Sequence, residues 1–311
     1  MACILVTGGA GFIGSHLVVR LVESGHRVRV LDDFSTGRHE NIAEVLSRIE
    51  LFEADVRDRE ACLRACAGAE FVLHEAAIPS VPKSVEDPQP SHDANVSGTF
   101  NLLRAAVEHR VRRFIYAASS SAYGDTVESP KHEGIIPRPL SPYAVQKLTG
   151  ELYARAFCEC YGLETISLRY FNVFGARQDP KSQYAAAIPA FVTRMLRGQP
   201  PVVYGDGTQT RDFTYIDNVV HGNMLAIQMT RACGESVNIA SGTAVSVNQV
   251  ISEVNRRLGG TLQPEYAARR PGDVMHSCAD ITLAGKLLGF KPVVKFEDGL
   301  DMAIDYYRTL V

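Results

Sequence analysis

The stretch Thr7-Gly8-Gly9-Ala10-Gly11-Phe12-Ile13-Gly14-Ser15-His16 decides the fold of this chain. The apolar run 2–6 before it predicts a buried strand, and the apolar residues after it have helical spacing. Such glycines allow a tight turn, close approach of the backbone to a pyrophosphate and close helix–strand packing. The strand before and the helix after argue against a merely flexible loop. We therefore predict a dinucleotide site that includes Gly8, Gly11, Phe12, Ile13 and Gly14, with the phosphates at the helix N-terminus.

An acidic residue follows the second predicted strand. Asp32 ends the run Arg27-Val28-Arg29-Val30-Leu31, about 20 residues after the glycines. A carboxylate there accepts hydrogen bonds from ribose hydroxyls and repels a 2′-phosphate, which favours NAD over NADP. Asp33 is a second candidate for this contact, and Arg38 keeps NADP open.

Strands and helices continue to alternate along the first half. Strand 49–53 leads to Asp55 and Val56, which we expect near the adenine, and strand 70–74 leads to Ala76 and Ala77, small enough for a cofactor to lie against the backbone. We expect His74 to have a structural role. A helix from about 91 to 110 and a strand at 113–117 follow. The pattern predicts an α/β fold, a Rossmann-type doubly wound parallel sheet.

Candidate catalytic residues lie in Ser141-Pro142-Tyr143-Ala144-Val145-Gln146-Lys147. Ser141 is a plausible N-cap and proline fits the first helical turn. Tyr143 and Lys147, four residues apart, then share one helix face. A nearby ammonium stabilises a phenolate and so lowers the tyrosine pKa from roughly 10. Ser119, Ser120 and Ser121 end the preceding strand, at the edge of the sheet where ligands bind.

Composition excludes several classes of protein. The chain has 311 residues, 32 basic and 35 acidic, with a net charge of -3, so nothing indicates nucleic acid. No apolar run of about 18 residues predicts a membrane span, and residues 1–6 lack the charged region of a signal peptide. The seven cysteines lack zinc spacing. We expect buried, reduced thiols, no metal and a cytoplasmic protein.

The second half reads as a smaller C-terminal α/β substrate lobe. A helix is expected at 185–197, a strand at 202–204 and helices at 246–258, 281–288 and 296–309, with Ser246 as the N-cap of the first of these three. We divide the chain into 1–172 and 173–311, with some later segments returning to the first domain. Arg211 and Arg270 have guanidinium groups that fit diphosphate oxygens, although pairing with Asp212 or Asp273 would also explain them.

Five motifs in order, TGGAGFIGSH, HEAA, SSSAYG, YAVQK and RYFNVFG, resemble the extended short-chain dehydrogenase/reductase superfamily. The resemblance covers essentially the whole chain and is closest to the nucleotide-sugar 4-epimerase branch. It implies tightly bound NAD, with Tyr143 as catalytic base and acid, Lys147 on the nicotinamide ribose, and Ser119 on the reacting sugar oxygen. Asn95 resembles an asparagine that supports the active-site helix. The implied substrate contacts are Ser119, Ser120, Ser121, Asn172, Ala187, Tyr204, Arg211, Arg270, Asp273 and Ser277.

The resemblance also bears on the substrate. A small residue at Ser277 leaves room for a C2 N-acetyl group, so the expected pair is UDP-N-acetylglucosamine and UDP-N-acetylgalactosamine, with UDP-glucose and UDP-galactose as further substrates. A solvated loop serine is the alternative reading of Ser277. A UDP-glucuronate 4-epimerase is the close rival, since Arg177 or Lys83 would pair with a carboxylate. Less favoured are a 4,6-dehydratase, which needs carboxylates at the Ser119–Ser121 position, and a non-catalytic NAD-sensing regulator.

A homodimer is expected from the predicted helices at about 91–110 and 142–161, which would lie side by side on one face of the sheet. Each carries more apolar residues than one core-facing stripe requires: Phe100, Leu103 and Val107 on the first, and Leu148, Leu152 and Phe157 on the second. Pairing both with a symmetry mate makes a four-helix interface.

Overall fold

The computed structural model describes residues 1–180, 187–269 and 274–311. The predicted contacts Arg270 and Asp273, and the predicted helix start at residue 185, lie outside these ranges.

The described residues form thirteen strands. They are β1 Cys3–Thr7, β2 Arg27–Asp32, β3 Ile49–Glu53, β4 Phe71–His74, β5 Arg113–Ser119, β6 Glu164–Tyr170, β7 Val173–Phe174, β8 Val202–Tyr204, β9 Thr210–Asp212, β10 Thr214–Tyr215, β11 Glu235–Ile239, β12 Ala244–Ser246 and β13 Glu265–Ala267. Seven of them make one parallel sheet in the order β11-β6-β5-β4-β1-β2-β3. The order reverses between β1 and β4, and ligands of such sheets bind at the carboxyl ends beside this point. The predicted doubly wound sheet is confirmed.

Eleven α-helices occupy the described residues. They are α1 Phe12–Glu23, α2 Arg59–Cys66, α3 Val81–Glu86, α4 Pro88–His92, α5 Thr99–Glu108, α6 Pro142–Tyr161, α7 Ala187–Leu196, α8 Ile216–Gln228, α9 Val247–Leu258, α10 Thr282–Leu288 and α11 Phe296–Arg308. Within the described ranges, each helix is too short or too polar to span a lipid bilayer.

Local sequence sets the ends of two functionally placed helices. Ser141 caps α6, because its hydroxyl accepts a hydrogen bond from the Ala144 N–H at 3.2 Å, and Pro142 is the first helical residue. Gly162 ends α6 in the left-handed conformation with φ 69°. Ser246 and Gln249 form a capping box at the start of α9. Both predicted caps are confirmed.

Two predictions of secondary structure need correction. The predicted continuous helix 91–110 consists of α4, a π-helical segment Asp93–Gly98 and α5. The wider turn carries Asn95, whose side chain bonds to α6 rather than facing solvent. The sequence analysis also missed β11, which lies after residue 172 and returns to the large sheet beside β6.

Apolar side chains fill both faces of the large sheet. One face packs against α1 and the lobe helices, and the other against α2, α5 and α6. Leu103 and Phe157 belong to this second core, with 0% and 6% of their surface exposed. The prediction that they face a partner is therefore wrong, because these two side chains fill the space between helix and sheet. All seven cysteines lie among the described residues as free thiols, but only Cys62 and Cys66 are buried, so the expectation of buried thiols is wrong for the other five.

The described part of the lobe contains three small sheets. Strands β7 and β10 pair in parallel, β8 and β13 pair in parallel, and β9 and β12 pair antiparallel. The β9–β12 pair holds Arg211 opposite Val245. The lobe thus places two of its candidate residues, Tyr204 and Arg211, on short, narrow sheets.

Candidate active site

The glycine loop after β1 forms a cradle that has no room for side chains. Gly8 has φ +66°, and a Cβ atom built on it would lie 2.7 Å from the Ala76 backbone nitrogen. A Cβ atom on Gly14 would lie 2.1 Å from the Gly8 carbonyl oxygen. Helix α1 starts after Gly11 without a side-chain cap, so its first N–H groups point into this cradle. The geometry fits a dinucleotide pyrophosphate.

Asp32 is a fixed carboxylate at the end of β2. One of its oxygens accepts the Ala10 N–H at 2.8 Å and the other accepts the Phe34 N–H at 2.9 Å. Burial raises its pKa, and these two hydrogen bonds oppose the rise. Each oxygen keeps a lone pair for a ribose hydroxyl. By contrast, the second candidate, Asp33, is exposed and bonds within its own turn to Ser35.

The remaining predicted cofactor residues lie beside the same edge of the sheet. Asp55 accepts hydrogen bonds from the Arg57 guanidinium at 2.5 and 2.7 Å, and Val56 is buried. The Ala76 N–H donates to Thr7 Oγ1 at 3.3 Å, and Ala77 is half-buried beside it. Arg38, the residue that kept NADP open, forms an ion pair with Asp179 at 2.8 Å.

Tyr143, Ser119 and Lys147 come together at the carboxyl end of β5. Ser119 hydrogen-bonds the Tyr143 hydroxyl and also accepts a hydrogen bond from Ser121 Oγ at 2.8 Å. Lys147 is buried, and its Nζ donates to the Ala117 carbonyl at 2.8 Å. The three predicted catalytic residues therefore occupy one site.

The pKa values at this site differ from the prediction. Loss of solvent raises the pKa of Tyr143 to about 12, and the hydrogen bond from Ser119 opposes the rise. Burial lowers the pKa of Lys147 to about 8, opposed by the carboxylates of Glu75 and Glu151. The predicted lowering of the tyrosine pKa is not met in this structure, because burial outweighs the hydrogen bond from Ser119.

Asn95 braces the catalytic helix from the π-helical segment. Its Nδ2 donates to Gln146 Oε1 at 2.9 Å, and its Oδ1 accepts the Ile78 N–H at 2.8 Å. Gln146 in turn donates to Ser91 Oγ at 3.0 Å. The sequence analysis named Asn95 but missed Gln146, whose position next to Lys147 was the available signal.

His74 closes a buried hydrogen-bond chain beneath the site. Its two ring nitrogens hydrogen-bond Thr7 Oγ1 at 2.7 Å and Thr99 Oγ1 at 2.8 Å. Burial lowers its pKa to about 3, so the ring is neutral. The predicted structural role of His74 agrees with this geometry.

On the lobe side, two predicted residues meet at one strand. The Arg211 guanidinium donates to the Thr210 and Met275 carbonyls at 2.9 and 3.2 Å, and the Ser277 N–H donates to the Thr210 carbonyl at 3.1 Å. Ser277 is 6% exposed, which rules out the solvated loop serine.

Other predicted substrate residues lie around this strand. Asn172 Nδ2 donates to the Asp212 carbonyl at 3.3 Å, and Ala187 is half-buried at the start of α7. Tyr204 lines a cavity of about 250 Å³ whose other lining residues are Gly205, Asp206, Gln209, Arg269, Val274 and Met275. Arg177, a candidate for a carboxylate contact, pairs with Glu44 at 2.7 Å, and Lys83 is exposed on α3.

Comparison with known proteins shows the family to which this chain belongs. Residues 4–240 match the model of the NAD dependent epimerase/dehydratase family. A putative UDP-glucose 4-epimerase from Methanocaldococcus jannaschii is 38% identical over 308 residues, covering 98% of each chain. The UDP-N-acetylglucosamine 4-epimerase from Methanobrevibacter ruminantium M1, solved with UDP-N-acetylmuramic acid, is 35% identical, covers 100% of this chain and 99% of its own, and superposes with a TM-score of 0.95.

A third relative was solved with both ligands. The UDP-glucuronic acid 4-epimerase from Bacillus cereus, in complex with UDP-glucuronic acid and NAD, is 35% identical with a TM-score of 0.91, covering 99% of this chain and 100% of its own. The chain belongs to the NAD-dependent epimerase/dehydratase family, and NAD is its cofactor.

Proposed function

We propose that this protein is an NAD-dependent 4-epimerase of UDP-sugars. The observation that carries the proposal is the meeting of Tyr143, Ser119 and Lys147 at the sheet edge that also carries the glycine cradle. The relatives named as 4-epimerases match the chain from end to end, which supports the same reaction. Because NAD is regenerated in each turnover, one tightly held molecule suffices.

The residues divide the proton chemistry as follows. Tyr143 takes the proton of the sugar 4-OH as a phenolate and returns it after the sugar has rotated. The positive charge of oxidised NAD would favour this phenolate against the burial that raises its pKa to about 12. Ser119, which bonds the tyrosine hydroxyl, orients that proton and the sugar oxygen. The Lys147 ammonium holds the nicotinamide ribose. Bound NAD supplies the acceptor and later the donor of the C4 hydride. Arg211 and Arg270 hold the diphosphate, and the hexose stays loosely held so that it can present either face.

We propose the N-acetylhexosamine pair as the preferred substrate. The small side chain at Ser277, beside the arginine that we assign to the diphosphate, supports this choice. UDP-glucose and UDP-galactose would fit the same pocket. Tyr204, at the cavity of about 250 Å³, is assigned to the uracil.

Two observations weigh against the rival substrates and reactions. For a uronate, the candidate cations are engaged elsewhere or exposed: Arg177 pairs with Glu44, and Lys83 faces solvent. For a 4,6-dehydratase, the residues at the end of β5 are serines, which lack the acid and base that water elimination requires. A non-catalytic regulator would not need the Tyr143 and Lys147 pair.

A substrate panel tests this function. The purified protein is incubated with UDP-N-acetylglucosamine, UDP-glucose and UDP-glucuronate without added NAD, and the products are separated. We expect UDP-N-acetylgalactosamine to form fastest. Conversion of UDP-glucuronate alone would overturn the substrate assignment, and a 4-keto-6-deoxy product would overturn the reaction.

We also propose that the chain divides near residue 172 into a cofactor domain and a substrate lobe.

A homodimer is a further part of the proposal. The exposed face of α6 carries an apolar stripe at helical spacing, with Val145, Leu152 and Tyr153 exposed by 49%, 61% and 37%. The ring of Phe100 on α5 packs against the ring of Tyr153, with 5.4 Å between the ring centroids. This contact joins the two helices that we assign to the interface. A monomeric mass by light scattering at micromolar concentration would contradict this dimer.

A further inference from the structure

Glu75 is a carboxylate at the centre of the site to which the proposed mechanism assigns no role. It directly follows β4, where its N–H donates to the Thr7 carbonyl at 3.2 Å. Since His74 pairs with Tyr116 of β5, Glu75 lies next in register to Ala117. The Ala117 carbonyl is the acceptor of the Lys147 ammonium. The backbone thus brings Glu75 and the end of the Lys147 side chain to the same point of the sheet edge.

A chain of directed hydrogen bonds holds the Glu75 carboxylate. The Tyr170 hydroxyl donates to Glu75 Oε1 at 2.8 Å, and Asn223 Nδ2 donates to the Tyr170 oxygen at 2.8 Å. Asn223 Nδ2 also donates to the Val219 carbonyl at 3.0 Å, which can only accept and so fixes the amide orientation. Because the Tyr170 oxygen receives the Asn223 hydrogen, its own proton points to Glu75. The chain therefore presents a donor to Glu75 and favours the ionised carboxylate.

The second carboxylate near Lys147 already has a cationic partner. Glu151 accepts hydrogen bonds from the Arg169 guanidinium at 2.7–3.1 Å, and both side chains are about 5% exposed. Its charge is balanced there. Glu75 takes part in none of the ion pairs of the described residues, and its hydrogen-bond partner is neutral. Of the two carboxylates, Glu75 is the one whose charge Lys147 alone compensates.

We propose that Glu75, held by Tyr170 and Asn223, is a positioning residue that supplies the negative charge which stabilises the Lys147 ammonium. The inference rests on the proposed function, because that function needs the ammonium at the nicotinamide ribose. In this proposal Glu75 and Tyr170 set the pH above which Lys147 loses its proton, and with it the alkaline midpoint of activity and of NAD binding.

The titration behaviour of the two groups agrees with this geometry. Burial raises the pKa of Glu75 to about 7, opposed by the Tyr170 hydrogen bond and the Lys147 charge. Burial lowers the pKa of Lys147, opposed by the carboxylates. The other titratable groups that face the pair are His74 from β4, Tyr116 from β5, Tyr143 and Glu151 from α6, and Arg169 and Tyr170 from β6. Removing the Glu75 charge lowers the Lys147 pKa further.

The test uses Glu75→Gln, which keeps the shape and removes the charge. For each variant, kcat is measured against pH with UDP-N-acetylglucosamine, and the Kd for NAD is measured against pH on cofactor-stripped full-length protein. We expect the alkaline midpoints of both profiles to move down by about 1 pH unit or more, the usual effect of removing a neighbouring charge. Tyr170→Phe should move them in the same direction by less, and KM should change little. Glu70→Gln, which neutralises a carboxylate just before the same strand at the opposite end, is the matched control.

Unmoved midpoints in Glu75→Gln, with a thermal unfolding temperature equal to that of the parent, would overturn the proposal. If Glu75→Gln does not fold, Tyr170→Phe decides, and an unmoved midpoint in that variant would overturn it. Failure of the proposed function is distinguishable, since a protein that converts no UDP-sugar still reports the charge of Lys147 through the pH profile of NAD binding.

Discussion

At the carboxyl edge of the large sheet, Gly8 and Gly14 leave no space for a Cβ atom, and the Asp32 carboxylate is fixed by two backbone N–H groups. In the lobe, Arg211 and Ser277 depend on a two-stranded sheet and a few backbone carbonyls. In the proposed reaction the first region keeps its NAD through every turnover, and the backbone around it leaves little freedom in how the cofactor fits. In the same proposal the second region must release the nucleotide and let the sugar rotate, so we assign the specificity to side chains of the lobe.

The largest expected effect comes from Tyr143, which we assign as acid and base at the carboxyl edge of the large sheet. Tyr143→Phe removes the ionisable hydroxyl and should lower kcat on the order of 10²–10⁴-fold, the usual contribution of a positioned acid–base group. The amount of NAD carried by the protein should not change. Tyr161→Phe, at the exposed end of the same helix, serves as control. Near-normal turnover in Tyr143→Phe would exclude the assigned role.

The next effect tests whether the lobe sets specificity. Ser277→Tyr places a large side chain at a buried position of the proposed sugar pocket, which costs about 1–3 kcal/mol, or roughly 10- to 200-fold in discrimination. We expect activity on N-acetyl sugars to fall by that factor and activity on UDP-galactose to remain. Ser277→Ala, which stays small, should keep both. A constant ratio of the two activities in Ser277→Tyr would remove the support for the substrate assignment.

A smaller effect tests whether the glycine cradle at the carboxyl edge of the large sheet requires residues without side chains. Gly14→Ala would bring a Cβ atom to 2.1 Å from the Gly8 carbonyl oxygen, so the backbone must shift. We expect the free energy of unfolding to fall by about 1–3 kcal/mol, the usual cost of overpacking, and less NAD to be retained on purification. Gly260→Ala, where the nearest atom lies at 3.4 Å, is the control and should do neither. Full NAD content in Gly14→Ala would contradict the cradle.

The smallest effect concerns the buried histidine below the cofactor edge. The pKa of His74 falls from 6.5 to about 3 on folding, so below pH 6.5 the unfolded chain binds a proton that the folded chain excludes. Stability therefore decreases as pH falls through this window, by about 2 kcal/mol at pH 5. His74→Gln should flatten that part of the curve in denaturant unfolding, whereas the exposed His92→Gln should leave it unchanged. Equal slopes in the parent and His74→Gln would show that the ring is protonated in the folded state.

The parts of the fold that the sequence predicted depend on neighbouring residues. The glycine loop, the Ser141 cap and the Ser246 capping box each act within one turn of helix or loop, so their residue types indicate them directly. The catalytic helix was predictable for the same reason. Strand β11 was missed because its five residues enter the sheet through pairing with distant β6.

The parts of the site that the sequence could not predict come from tertiary burial. The raised pKa of Tyr143 reflects packing around its hydroxyl, which no local spacing reveals. Tyr170, which donates a hydrogen bond to Glu75, is 95 residues away from it along the chain. Asn223, which donates to Tyr170, is a further 53 residues along. The engagement of Arg177 by Glu44 spans 133 residues. Such contacts decide the charges in the site, whereas the motifs decide only where the site lies.

The central claim is that hydride leaves C4 and returns to C4 within one protein-bound cofactor. The most direct measurement incubates the purified protein with UDP-N-acetylglucosamine in deuterium oxide without added NAD and examines C4 of the product by proton NMR and mass spectrometry. We predict that UDP-N-acetylgalactosamine forms and that C4 keeps its original hydrogen, because hydride transfer does not exchange with solvent. Deuterium at C4, or a strict requirement for free NAD, would contradict the account.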